Sequence, residues 1–129
     1  MTPTELKKQM IVQTINERFK GKAFKLEDEE ETCFYQDDEG RRCAIGIFIP
    51  DKHEALLDHS DLNVSALLSK YPELHDHMPS HKIDFLTDFQ KAHDRLDPDK
   101  SVLEQQKSMI DWVNINHDLY HIDRRESNV

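Results

Sequence analysis

Apolar residues recur at helical spacing in four separate stretches of the chain. Between the first and second of these stretches lies a continuous apolar run from Cys43 to Ile49. From Thr4 to Phe19, the residues Ile11, Val12, Ile15 and Phe19 share one arc, with Leu6 and Met10 to the side, which predicts a helix with a wide apolar surface. Thr2 or Thr4 can cap it, Pro3 suits its first turn, and Lys20-Gly21-Lys22 supplies a stop. From Asn63 to Tyr71, the residues Val64, Leu67, Leu68 and Tyr71 repeat as i, i+3, i+4, i+7, with Asp61 or Asn63 as cap and Pro72 as terminator. Ile83 to Leu96 carries Phe85, Leu86, Phe89, Ala92, His93 and Leu96 on one face. Asp97-Pro98-Asp99 breaks the chain before a last helix, Ser101 to His121. Its stripe is Val102, Leu103, Gln106, Met109, Ile110, Val113, His117 and Tyr120, with Trp112 and Leu119 beside it. Lys52 to Ser60 predicts one helical turn, and Glu73 to Lys82 a connector holding His75, His77 and His81.

The central stretch follows a different rule. Cys33-Phe34-Tyr35 suits a strand, Asp37-Asp38-Glu39-Gly40 a turn, and Arg41 to Ile49 a returning strand that Pro50-Asp51 ends. In that arrangement Cys43, Ile45, Ile47 and Ile49 oppose Ala44, Gly46 and Phe48, and Gly46 admits a closely packed helix. A run this short also fits a buried helix starting near Cys43, since periodicity does not separate the two; the hairpin is the preferred reading. The expected fold is mostly α (α+β), with about four helices packed on a central β-hairpin or short apolar segment. One globular domain is expected over residues 1–123, with 124–129 as a frayed tail.

Charge narrows the partners. The 129 residues carry a formal net charge of −9, from 26 acidic and 17 basic side chains. That disfavours nucleic acid, whose phosphates need clustered Lys and Arg, and it suits a protein partner. The acidic stretch Glu27 to Glu31 reads as a solvated connector. No apolar run approaches membrane-spanning length, and the N-terminus lacks the apolar core of a signal peptide. A cytoplasmic protein with reduced thiols is expected.

Candidate chemistry is sparse. Neither hairpin register sets Cys33 opposite Cys43, so both are expected as structural thiols rather than a disulfide. A sharper alternative makes Cys43 a nucleophile at a helix start, with Arg41 and Arg42 lowering its pKa and His93 as base. Cys33, Cys43, His53, His75, His77 and His81 are zinc-type ligands, yet they lack zinc spacing, and no metal site is predicted. His93 and Asp94, with His117, Gln106 and Asn116, are expected to form a polar cluster between the last two helices. No phosphate loop, dinucleotide fingerprint or nucleophile elbow occurs, so no cofactor is expected.

The block Gly40 to Asp51, GRRCAIGIFIPD, resembles a motif of small uncharacterised proteins of bacteriophages and bacteria. In that family a Cys-Ala-(Ile/Val)-Gly-x-(Leu/Phe)-Ile-Pro-Asp block follows a Cys-x-Tyr segment and a short Gly-containing turn, as Cys33-Phe34-Tyr35 precedes it here. Phe89 to Asp94 and Trp112 extend the likeness, which spans about residues 30 to 115. It implies a phage-type origin and carries no activity. The leading expectation is a small non-enzymatic accessory protein that binds a host or phage protein. Its candidate binding residues are Asp37, Asp38, Glu39, Arg41 and Arg42. The alternatives are a thiol- or metal-dependent enzyme using Cys43 and His93, and an acidic DNA-mimic inhibitor.

Overall fold

The first helix, α1 (Pro3–Arg18), starts where a reciprocal cap fixes it. The Glu5 N–H donates to Thr2 Oγ1, and the Thr2 N–H donates to the Glu5 carboxylate. Of the two threonines, Thr2 is the cap. The computed structural model describes residues 2–22, 35–37, 39–57 and 63–121. Three more helices follow: α2 (Val64–Lys70), α3 (Ile83–Asp94) and α4 (Val102–His121). Asn63 caps α2 through the Ala66 N–H, and Pro72 opens a 3₁₀ helix, Pro72–His77, directly after it. Further 3₁₀ turns lie at Gly46–Phe48 and Glu54–Leu57. The fold is therefore mostly α, built on the four helices that the apolar spacing predicts.

α1 and α4 pack antiparallel. Lys8 pairs with Asp118 at one end, and Gln106 Nε2 donates to the Phe19 carbonyl (2.7 Å) at the other. α3 also runs antiparallel to α4, with Phe85 against Tyr120 and His121, and Phe89 stacked on Trp112. Ile11, Ile15 and Phe19 of α1 meet Phe85, Leu86 and Phe89 of α3 and Met109 and Val113 of α4 in one core. Val102 and Leu103, assigned to the buried stripe of α4, are exposed instead. Gln105 takes the inward position, where it accepts from the Lys22 N–H and donates to the Lys100 carbonyl.

The central hairpin requires correction. Among the described residues no strand forms, and one isolated antiparallel bridge, Gln36 to Arg42, is its remnant. The turn exists: Asp37 N–H donates to the Arg41 carbonyl, and Gly40, at φ +81°, closes it. The returning strand does not. Cys43, Ala44, Ile45, Gly46, Ile47 and Ile49 are all buried, so alternation between two faces has no water-facing side to serve. The backbone coils instead, with Ile47 N–H donating to Cys43 O, Phe48 N–H to Ile45 O and Ile49 N–H to Gly46 O. The competing reading, a short buried helical turn beginning near Cys43, describes this segment. Gly46 is approached by the Tyr35 carbonyl rather than by a helix: a Cβ there would lie 2.0 Å from that oxygen. Cys33, Phe34, Asp38, the acidic stretch Glu27 to Glu31 and the tail 124–129 lie outside the described residues. Among the described residues no helix is long and apolar enough to cross a membrane.

Candidate functional site

A groove of about 440 Å³ opens between α1 and the segment 75–81 that follows α2. Its apolar floor comes from Met10 and Ile11 of α1, Phe48 of the central turn, and Met78 and Pro79. Lys7, Thr14, His75, Asp76, His77 and His81 form its polar rim. Met10 is 60% exposed, an unusual position for a large flexible apolar side chain, and Lys7 makes no ion pair with a described residue. The groove exists because α1 is apolar on more than its core face. Leu6 and Met10, which sit beside the stripe of Ile11 and Ile15, are left exposed.

Of the residues nominated for binding at the central turn, Asp37 faces inward, while Arg41 and Arg42 are half-buried. Asp37 is buried, and its Oδ1 accepts from the Glu39 and Arg41 N–H groups while Oδ2 accepts from Arg41 Nε at 2.7 Å. Arg41 also pairs with Glu39. Arg42 donates to Gln36, to the Ile49 carbonyl and to Asp51, which Arg18 also contacts. The hydrogen bond and charge of Arg42, with Arg18 behind them, hold the Asp51 carboxyl below the usual carboxylate range. Asp37, Arg41 and Arg42 thus tie the loop to itself and to Asp51. Glu39 is exposed, and Asp38 lies outside the described residues.

Cys43 lies in the core, and its Sγ accepts from the Gly46 N–H (3.3 Å). Burial pushes its thiol up to about 12, against the lowering effect of the Gly46 and Ile45 amides. This is the setting of a structural thiol, protonated at neutral pH. His93 is fully buried, edge-on to Phe19, with Nδ1 facing Asp94 Oδ1 at 3.0 Å. Burial lowers its pKa, and Asp94 opposes that shift. Gln90 extends the network: Oε1 accepts from the Ile45 N–H, and Nε2 donates to Asp94. Lys22 closes it with Nζ donating to the Asp94 and Leu96 carbonyls. This lattice pins the central turn, the end of α3 and the exit from α1 to one another.

His117 belongs elsewhere, so the polar cluster proposed to unite it with His93 and Asp94 divides into two. His117 sits near the far end of α4, stacked on His121 at 4.1 Å, with Nδ1 toward Asp118 at 3.4 Å. Gln106 reaches α1 and Asn116 donates to its own helix at Trp112, so neither bridges the histidines. The antiparallel packing of α3 and α4 causes this separation: His93 ends α3 beside the start of α4, whereas His117 meets Phe85 at the start of α3. Around His117, Tyr120 donates to Asp88, and Ser80 meets His121 Nε2 at 2.6 Å.

The zinc-type residues do not converge. His53 Nε2 faces Glu73 at 2.9 Å, and its Nδ1 accepts from the Ala55 N–H. His75, His77 and His81 line the groove, and among the described residues no group of three or more His, Cys, Asp or Glu side chains is placed to hold a metal ion. The groove itself was not read from the sequence. Its signal was the lateral position of Leu6 and Met10 on α1, an apolar excess that the core stripe does not use. Comparison with protein-family models, curated proteins and solved structures returns no match, so the geometry alone carries the functional reading.

Proposed function

We propose that this protein is a small non-enzymatic accessory factor that binds another protein, in the host cytoplasm and of the phage type implied by the likeness of Gly40–Asp51. The observation that carries this reading is the groove: methionine and aromatic surface left open beside Lys7 and three histidines. Flexible methionines on an open surface suit a partner's apolar side chain, and Lys7 suits a carboxylate beside it. Burial of Cys43 and His93 supports binding over thiol chemistry, because neither side chain is open to a substrate. The DNA-mimic alternative draws less support: along α4, just before it and at its contact with α1, carboxylates pair with lysines in Lys107–Asp111, Lys100–Glu104 and Lys8–Asp118.

Affinity capture from a bacterial lysate, run in parallel with wild type and Met10→Asp, tests the reading. One captured protein at defined stoichiometry, lost with Met10→Asp while the fold is retained, is the expected result. No capture, or equal capture by both forms, overturns it.

A further inference from the structure

A second opening, of about 380 Å³, lies where the end of α3 and the turn after it face the first half of α4. Sites for small molecules run from roughly 300 to 1,000 Å³, and the space between packed helices is a common place for them. This pocket shares no lining residue with the groove. Its cause is a change of residue size along α3. Phe89 stacks on Trp112, with ring centroids 5.7 Å apart and planes 17° from parallel. Ala92, about one turn later, is too small to extend that cover, and it lines the opening together with Trp112 and Leu96. Trp112 is the only tryptophan of the chain, and it stays half-buried.

The walls are held in place before anything binds. Leu96 N–H donates to the His93 carbonyl, and Lys100 N–H donates to the Asp97 carbonyl, which closes the turn. Gln105, buried in the wall, is fixed at both ends of its amide by the Lys22 N–H and the Lys100 carbonyl. A preformed pocket loses little entropy on binding. Its charged groups differ in how far they are engaged. Glu104 Oε1 accepts from the Ser101 hydroxyl and Oε2 faces Lys100 at 4.0 Å, while Asp97 Oδ1 accepts from the Asp99 N–H. Arg95, at the end of α3, is exposed and makes no ion pair with a described residue.

The unmatched features are therefore a guanidinium and an aromatic wall. A guanidinium suits a carboxylate, to which it donates two parallel hydrogen bonds, and an indole ring suits a second flat ring laid against it. We infer that this pocket binds a small aromatic carboxylate, its ring against Trp112 and its carboxylate on Arg95. An aromatic amine would instead draw on the carboxylates of Asp97 and Glu104, which already have partners. The inference does not rest on the groove reading.

The sole tryptophan supplies the readout. The full chain is titrated with phenylacetate and with phenethylamine, at neutral pH and constant ionic strength, and fluorescence is excited where only tryptophan absorbs. A saturable change with phenylacetate is expected, with binding at least about threefold weaker for phenethylamine and for phenylacetate with Arg95→Met; an exposed ion pair has about that worth. Lys82→Met removes an exposed charge at the opposite end of α3 and should bind phenylacetate as the wild type does. Absence of a saturable change, phenethylamine binding as tightly as phenylacetate, an unchanged Arg95→Met titration, or an equal loss in Lys82→Met overturns the inference. Arg95 and Lys82 are both exposed, so either variant keeps the fold.

Discussion

Replacing Gly46 by alanine should be among the most damaging single-methyl changes in this chain. The added Cβ would stand 2.0 Å from the Tyr35 carbonyl oxygen, 3.0 Å from its carbon and 3.2 Å from Arg42 Cβ. The obstacle is backbone, so no rotamer change relieves it, and the segment carrying Tyr35 must retreat by about 1 Å or more in a close-packed interior. That retreat breaks the Cys43 N–H bond to the Tyr35 carbonyl, already 3.3 Å long. Leaving the buried Cys43 amide unpaired costs about 1–3 kcal/mol, and overpacking adds about 1–3 kcal/mol. A loss near 4 kcal/mol lowers Tm by roughly 10–15 °C at this chain length. Urea denaturation with an unchanged m-value, compared with Gly40→Ala, is the assay. Gly40 sits at φ +81° with open space around its Cβ position, so alanine there should cost only about 1 kcal/mol of backbone strain. Alanine is intrinsically better than glycine in a helical turn, and Gly46 begins one. A Gly46→Ala variant as stable as wild type, or more stable, would refute the claim that the carbonyl approach dictates glycine.

Further outcomes follow from the buried polar groups. In a Cys33→Ser background, native Cys43 should react with a thiol reagent at pH 8 at least about 100-fold more slowly than in denaturant, because its thiol is buried and shifted to about 12; equal rates would contradict the assignment. Stability should fall as pH drops below about 6.5, because the folded state lowers the His93 pKa and the unfolded state then binds the extra proton. The slope attributable to this residue is at most about 1.4 kcal/mol per pH unit, and urea midpoints of wild type that are flat between pH 7.5 and 5 would contradict it. Asp37→Ala should cost about 2–4 kcal/mol, since it strands two turn amides and the Arg41 guanidinium, while Asp37→Asn keeps an acceptor and costs less; equal chemical denaturation of the two variants would show that these bonds carry little.

The helices were legible because their signals are local. Thr2 with Glu5, Asn63 before Val64, and Pro72 after Tyr71 each satisfy or deny backbone donors within four residues, and the structure places boundaries there. The central run was not legible for the opposite reason. Cys43 to Ile49 is apolar on every side, and only its enclosure by α1 and α3 selects a coil over a strand. The polar assignments failed where they depended on pairing between distant elements. Gln90 reaches the Ile45 amide and Lys22 the Asp94 carbonyl across 45 and 72 residues of chain, which no spacing rule reports. His93 and His117 looked equivalent on two helical stripes, yet antiparallel packing sends them to opposite ends. The groove was visible only as an apolar surplus on α1, and its other wall comes from the connector after α2.

Site-specific photocrosslinking within the groove tests the binding reading most directly. A photoreactive residue at His77, on the groove rim, is compared with one at Lys107, exposed on α4 and outside the groove. Proteins carrying either probe are irradiated in bacterial lysate and the adducts resolved by mass. The account predicts one discrete protein adduct from position 77, abolished by Met10→Asp, and none from position 107. No adduct from either position, the same adduct from both, or an adduct at position 77 that survives Met10→Asp would contradict it.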